Sequence, residues 1–115
     1  MTTIESKLQI ACVKWFRLQY PGFLLCSFPM GGFRNKITGR ILKAEGALAG
    51  SPDLFLFLSN GNYYGLAIEM KTAKGVQSET QKAFEKKLKR FGYQYVICRS
   101  FQEFKIIIEN YIYKL

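Results

Sequence analysis

The apolar run Leu54-Phe55-Leu56-Phe57-Leu58, opened by Asp53 and closed by Ser59-Asn60-Gly61-Asn62, constrains the fold of this chain more than any other feature. It reads as a strand. The Ser-Asn-Gly-Asn stretch supplies hairpin turn chemistry before a second strand, Tyr63 to Lys71, so the two are expected to pair side by side and antiparallel. Upstream, Ile4, Leu8, Ala11, Trp15 and Leu18 recur at steps of three and four, which predicts a helix over residues 3–19 that ends before Pro21-Gly22. Leu24 to Phe28 is a short apolar run and reads as a strand. From Met30 to Pro52 the chain is rich in glycine and basic residues, and no helix is expected there.

Downstream, Ser78 and Glu79 open a helix carrying Ala83, Phe84, Leu88 and Phe91 at helical spacing, with Gly92 as its stop. Tyr95 to Cys98 is a further strand. Ser100, with Glu103 three residues on, resembles a capping box for a last helix holding Phe104, Ile107, Ile108 and Tyr111. The expected order is helix, three strands, helix, strand, helix, an α/β fold around one mixed sheet. Its 115 residues suit one domain spanning 1–115.

The chain has no histidine, which removes imidazole acid–base chemistry, Ser-His-Asp and Cys-His catalysis and histidine-ligated zinc together. Cys12, Cys26 and Cys98 are odd in number and form no Cys-x-x-Cys pair, so buried thiols in a reducing compartment are the simplest account. No long apolar stretch and no basic-then-apolar leader is present, so the reading is a soluble cytoplasmic protein with no membrane partner. With 17 Lys plus Arg against 8 Asp plus Glu, the net charge is +9, a field that attracts polyanions, most often nucleic acid.

Carboxylates, lysines and hydroxyls remain for chemistry. Residues two apart in a strand share a face, so Glu69 and Lys71 project together while Leu66, Ile68 and Met70 face the other way. If the hairpin pairs as drawn, Asp53, the only aspartate, approaches the Glu69 end of the long strand. Two carboxylates and a lysine then converge, a hard oxygen set suited to Mg²⁺ or Mn²⁺. Two plainer readings stay open: Asp53 as a turn residue, and Glu69 with Lys71 as a charge pair on a wet sheet face.

The pattern Pro52-Asp53, fifteen residues, then Glu69-Met70-Lys71 resembles the PD-(D/E)xK nuclease superfamily. It is most similar to the VRR-NUC (virus-type replication-repair nuclease) family, through Glu5 and Gln9, Pro29-Met30-Gly31-Gly32, Lys43-Ala44-Glu45-Gly46, Gly50-Ser51-Pro52-Asp53, Glu69-Met70-Lys71 and Gln81. Met30 and Ser51 depart from the family's usual Asn and small aliphatic residue. The resemblance implies a restriction-endonuclease-like core and a metal-dependent DNA endonuclease. It also implies a homodimer acting on branched or four-way junction DNA in replication, repair or recombination, of phage or bacterial origin. Asp53 and Glu69 would be metal ligands with the Met70 backbone carbonyl, Glu5 would join through a water, and Lys71 would place or activate the attacking water. Gln81 would steady Lys71 or a phosphate, or is a helix-surface amide. Thr2 with Glu5 also fits a capping box, and Gln9 either holds water or substrate or is solvated.

Seven basic residues against Glu79 and Glu85 between Lys71 and Arg90 give a local balance of +5. With Gln9, Arg34, Lys36, Arg40 and Lys43, the side chains of Lys74 and Lys82 are the expected DNA contacts. No base-reading motif is evident, so recognition by shape is expected. Two other functions fit the same residues: a basic module that binds nucleic acid without cutting it, and a sequence-specific restriction-type nuclease. The apolar segment Ile106 to Tyr113 supplies either a dimer interface or core.

Overall fold

The computed structural model describes residues 3–28 and 36–115, and of Lys36, Ile37 and Thr38 the backbone alone. The described elements run α1 (Ile4–Gln19), β1 (Leu25–Ser27), α2 (Lys36–Ala44), β2 (Leu54–Leu56), β3 (Leu66–Met70), α3 (Glu79–Arg90), β4 (Gln94–Cys98) and α4 (Phe101–Tyr113). They form a mixed four-stranded sheet in the order β1-β2-β3-β4, antiparallel at the first two pairings and parallel at the third. This is the expected order with one correction, the helix α2 between β1 and β2.

Gly39 costs α2 about 1 kcal/mol relative to alanine, but the helix has a well-made stop. Gly46 takes φ 113°, Ala47 N–H donates to Leu42 O at 2.9 Å and Gly46 N–H to Lys43 O at 3.0 Å. That pair of bonds is a Schellman motif, which needs glycine at its left-handed position. Lys43-Ala44-Glu45-Gly46 is thus a helix terminus. Pro29-Met30-Gly31-Gly32, Arg34 and Thr2 lie outside the described residues.

β2 and β3 pair antiparallel as expected, with Leu54 opposite Ile68 and Leu56 opposite Leu66. Both strands are shorter than the apolar runs, because Leu58 to Gly61 turns away from the sheet and docks on the end of α4. Asn60 Oδ1 accepts from the Asn62 and Tyr63 N–H groups, Asn60 Nδ2 donates to Tyr111 O, and Tyr111 Oη donates to Leu58 O. A side-chain turn tied to a helix thus replaces the tight hairpin.

The two middle strands are buried on both faces, which is why they read as continuous apolar sequence. Leu54, Leu56, Leu66, Ile68 and Met70 face α1 and α4, where Cys12, Phe16, Phe104, Ile108 and Tyr111 complete the main core. Phe55, Ala67 and Tyr95 face the other way, under Leu88 of α3. The Trp15 ring makes edge contacts with Phe101 and Phe104, joining α1 to α4.

Two side-chain expectations change, and the two readings left open for α4 are narrowed. The stripe of α1 that packs inward is Leu8, Cys12, Trp15 and Phe16, whereas Ile4, Ala11 and Leu18 are exposed. Phe91 is exposed at the end of α3. The α4 segment is mainly core through Ile108 and Tyr111, with Ile106 and Tyr113 outside. No helix among the described residues is long and apolar enough to cross a membrane.

Candidate active site

One step beyond the paired positions Leu54 and Ile68, the register sets Asp53 opposite Glu69. The sheet is still in force there: Phe28 N–H donates to Asp53 O at 3.2 Å, and Lys71 N–H donates to Cys98 O at 3.0 Å. Alternation puts both carboxylates on the α3 face. Asp53 Oδ2 accepts from the Met70 N–H at 2.7 Å, which fixes the shorter carboxylate against the end of β3.

Glu69 is the one charged side chain buried among the described residues, at 2% exposure. Tyr95 Oη donates to its Oε1 at 3.1 Å and Gln81 Nε2 to its Oε2 at 2.8 Å. Burial, and then the charge of Asp53, push its pKa up to about 8, against the opposing pull of Tyr95 and Lys71. Burial and the Glu69 charge raise the Tyr95 phenol far enough for it to stay a donor.

Gln81 is placed by the start of α3. Ser78 caps that helix: Ser78 N–H donates to Gln81 Oε1 at 2.8 Å and Gln81 N–H to Ser78 Oγ at 3.2 Å. With its oxygen held by the cap, the Gln81 amide turns its nitrogen to Glu69. The sequence reading had Gln81 steadying Lys71 or a phosphate; its observed partner is Glu69. Lys71 is half-buried and leaves β3 on the same face as Glu69.

The loop before Asp53 rests on the same helix start. Gly50 has φ 84°, and a Cβ there would lie 2.4 Å from Thr80 O and 2.9 Å from Gln81 N. Both the dihedral and the contact demand glycine. Gly50→Ala is therefore expected to cost about 2–4 kcal/mol, through backbone strain and a steric clash. Thermal unfolding of the variant checks it; a melting temperature within 2–3 °C of the parent, roughly the effect of a sub-kcal/mol change, would sink the assignment.

Thr3 caps α1 through the Ser6 N–H, which makes it the N-cap, whereas Thr2, the residue of the alternative capping box with Glu5, lies outside the described residues. Glu5, Gln9 and Asp53 line one groove of about 930 Å³ between α1 and the β1 edge. Glu69, Lys71 and Gln81 are not on its wall, so the groove meets the carboxylate pair at Asp53. Among the described residues no three acidic or thiol side chains form a metal cluster, and Glu5 is not drawn into one with Asp53 and Glu69.

Two carboxylates are nevertheless a sufficient protein contribution for Mg²⁺, which keeps several waters. The donors are hard oxygens, and their crowding, visible in the raised Glu69, is what a divalent cation relieves. Ser51 Oγ, two residues before Asp53 in the chain, is buried without a hydrogen-bond partner among the described residues. The chemistry of these donors fits such an ion, and Asp53, Glu69 and the Met70 carbonyl are the groups that could hold it.

Of the expected DNA contacts, Arg40, Lys43, Lys74 and Lys82 are exposed, and Lys82 lies 3.4 Å from Glu79. Arg34 and the Lys36 side chain fall outside the description. Sequence reasoning missed Tyr95 and Arg99. Arg99 Nη1 donates to Thr72 O at 2.8 Å and Gly75 O at 2.7 Å, fastening the loop that follows Lys71. Tyr95 could be found only from the parallel pairing of β3 with β4, and Arg99 carries no local signal at all.

The family described as the VRR-NUC domain matches residues 4–102. A solved structure named VRR_NUC domain protein is similar at a TM-score of 0.80 and 22% sequence identity, covering 99% of this chain and 92% of that one, and so shares the fold. No curated protein matches the chain.

Proposed function

The chain belongs to the VRR-NUC domain family, nucleases of the PD-(D/E)xK type, and from that premise we propose that it is a divalent-metal-dependent DNA endonuclease acting on branched DNA. One observation carries the reading: Asp53 and Glu69 face each other at the end of the sheet, buried enough that Glu69 resists ionising without a cation beside it. A mere surface charge pair would not be held by Gln81, Tyr95 and a backbone amide.

The chemistry supplied by Mg²⁺ or Mn²⁺ at such a pair is Lewis acidity, which lowers the pKa of water and offsets charge on a phosphoryl oxygen. The chain's own residues do the rest. Asp53 and Glu69, with the Met70 carbonyl, hold the ion. Gln81 and Tyr95 keep both Glu69 oxygens in one plane and direction, so that little reorganisation is needed at reaction. Lys71, on the same face, orients the attacking water and balances the charge of the phosphorane-like transition state. Glu5 reaches the site through water, and Gln9, one turn on, positions substrate. Arg40, Lys43, Lys74 and Lys82, all exposed, take phosphates, and Arg34 and Lys36 are further phosphate contacts of the proposal.

The preference for branched DNA and a homodimer completes the proposal for this single domain of residues 1–115. A junction presents two symmetric strands, one domain offers one carboxylate pair, and closed two-fold association is the commonest oligomer. The test incubates the protein with labelled four-way junction, flap, single-stranded and duplex DNA, each with Mg²⁺, Mn²⁺ or chelator, beside Lys71→Ala. Metal-dependent cutting of branched substrates that falls about 10²–10³-fold in the variant is expected. Tight binding without cutting favours the non-catalytic module, and site-specific cutting of plain duplex favours the restriction-type enzyme.

A further inference from the structure

The turn that follows Lys71 is clamped by a single side chain. One step beyond the paired Met70 and Cys98, the parallel register sets Arg99 beside Lys71 on the α3 face, and the ladder still holds there through Lys71 N–H to Cys98 O. Two cations side by side repel, and here the guanidinium turns to the backbone. Arg99 Nη1 donates to Thr72 O at 2.8 Å and Gly75 O at 2.7 Å, with Ala73 O at 3.4 Å. Gly75 N–H donates to Thr72 O at 3.2 Å, so the turn is closed on itself and then held by the half-buried arginine.

The Arg99 end of the clamp is fixed by α4. Its own N–H donates to Glu103 Oε1 at 2.9 Å, where Ser100 caps the helix through the Glu103 N–H. The other end reaches the lysine. A Cβ added at Gly75 would lie 3.4 Å from Lys71 Cδ and 3.2 Å from Thr72 Oγ1, so the turn folds back until Gly75 flanks the lysine stem. Lysine is a flexible four-carbon chain ending in a point charge, and among the described residues Lys71 forms no ion pair that would hold its tip. Contact along the stem is what is left to hold it.

We infer that Arg99 is a positioning residue for Lys71. By clamping the turn from Thr72 to Gly75 it keeps Gly75 against the stem, and so keeps the ammonium on the Glu69 side of the sheet, where the attacking water is oriented. This deepens the nuclease reading and rests on it. In this role Arg99 touches neither carboxylate nor phosphate, so its loss slows cutting without weakening binding. The same turn also leads into Ser78 and α3, which place Gln81, so the test has to separate a route through the lysine from a route through the helix.

The probe is a labelled four-way junction, cut in single turnover with Mg²⁺ over a range of protein concentrations and bound in EDTA across a salt series. The proteins are the parent, Arg99→Gln, Arg99→Lys, Gly75→Val, Lys71→Ala and the double variant of Lys71→Ala with Arg99→Gln. Arg99→Gln is expected to lower the maximal rate about 10–10²-fold, as a misplacement of about 1 Å does, with the half-saturating concentration and the salt slope unchanged. Because the clamp comes from one nitrogen, the three donors of the Arg99→Lys ammonium can replace it, and this variant should recover most of the rate. Gly75→Val should slow cutting in the same way, from the other side of the contact. In the Lys71→Ala background Arg99→Gln should cost no more than about twofold. Losses that multiply there, as they would if Arg99 acted through α3 and Gln81, overturn the inference, and so does a salt slope flattened by about 0.9, the mark of a phosphate contact. A parent that cuts none of the DNA defeats the nuclease reading, and trypsin then decides the clamp. Cleavage after Lys71 and Lys74, mapped by mass, should run about tenfold faster in Arg99→Gln, as loss of a charge-assisted hydrogen bond predicts, and return to the parental rate in Arg99→Lys. An unchanged digestion rate overturns the inference.

Discussion

Asp53→Asn is expected to abolish cleavage while leaving the protein folded and, without metal at pH 8, more stable than the parent. The loss should be about 10³-fold or more in single-turnover rate, since the change removes one of two anionic ligands from a site whose catalysis is electrostatic. The fold survives because the asparagine oxygen can still accept from the Met70 N–H, the bond that pins residue 53 to β3. Stability rises because the Asp53 charge is, after burial, the largest cause of the raised Glu69 pKa. Relief of about 1 kcal/mol would lift the melting temperature by roughly 4–8 °C. Gaining stability while losing activity marks a residue retained for function at a cost to the fold. Melting curves in EDTA, single-turnover cleavage and Mn²⁺ titration check the three parts. A variant that cuts at the parental rate removes Asp53 from the mechanism.

The carboxylate pair was legible because strand alternation and hairpin pairing are period-two rules, and both survive in the core strands. The register Leu54–Ile68 needed only one further step to bring Asp53 and Glu69 together. On α1 the same kind of reasoning picked the wrong stripe. Apolar residues there occupy more than one face, and steps of three and four fit Ile4-Leu8-Ala11 as well as Leu8-Cys12-Phe16. Only the packed sheet decides between them, and it leaves Ile4 and Leu18 in solvent.

α2 was hidden by its glycine, because a cost of about 1 kcal/mol against helix is real yet small beside a well-formed stop at Gly46. Gln81 left a signal, the Ser-x-x-Gln spacing from Ser78, which marks a capping box and so predicts where its amide oxygen is held. Its other partner was not legible, since the approach of α3 to the end of β3 is a tertiary fact. The same holds for Tyr95 and Arg99, which lie 26 and 27 residues beyond their partners Glu69 and Thr72 and reach them only through parallel pairing.

Metal-free protein is expected to lose stability as pH rises from 5 to 9, and the dependence should centre on Glu69. Its folded pKa of about 8 lies above the ordinary carboxylate value of 4.5. Between those values the native state binds more protons than the unfolded chain, so the free energy of unfolding falls with pH. The Glu69 contribution is whole below about pH 4.5 and is lost as pH climbs through about 8. Glu69→Gln should remove this slope. It should also melt lower than the parent at pH 5, because Tyr95 and Gln81 donate to different oxygens and a glutamine sets an NH₂ donor against one of them. Mg²⁺ should act in the opposite sense to pH. It binds the ionised pair, so its affinity rises with pH, and a free concentration a hundredfold above Kd adds about 2.7 kcal/mol. Calorimetric melting of parent and variant from pH 5 to 9, in EDTA and in MgCl₂, reads all of these effects. If the parent and Glu69→Gln show the same slope in EDTA, the carboxylate pair is not what the site is built around. If only the parent is stabilised by Mg²⁺, and more at pH 8 than at pH 6, the pair is a metal site held partly uncharged until its ion arrives.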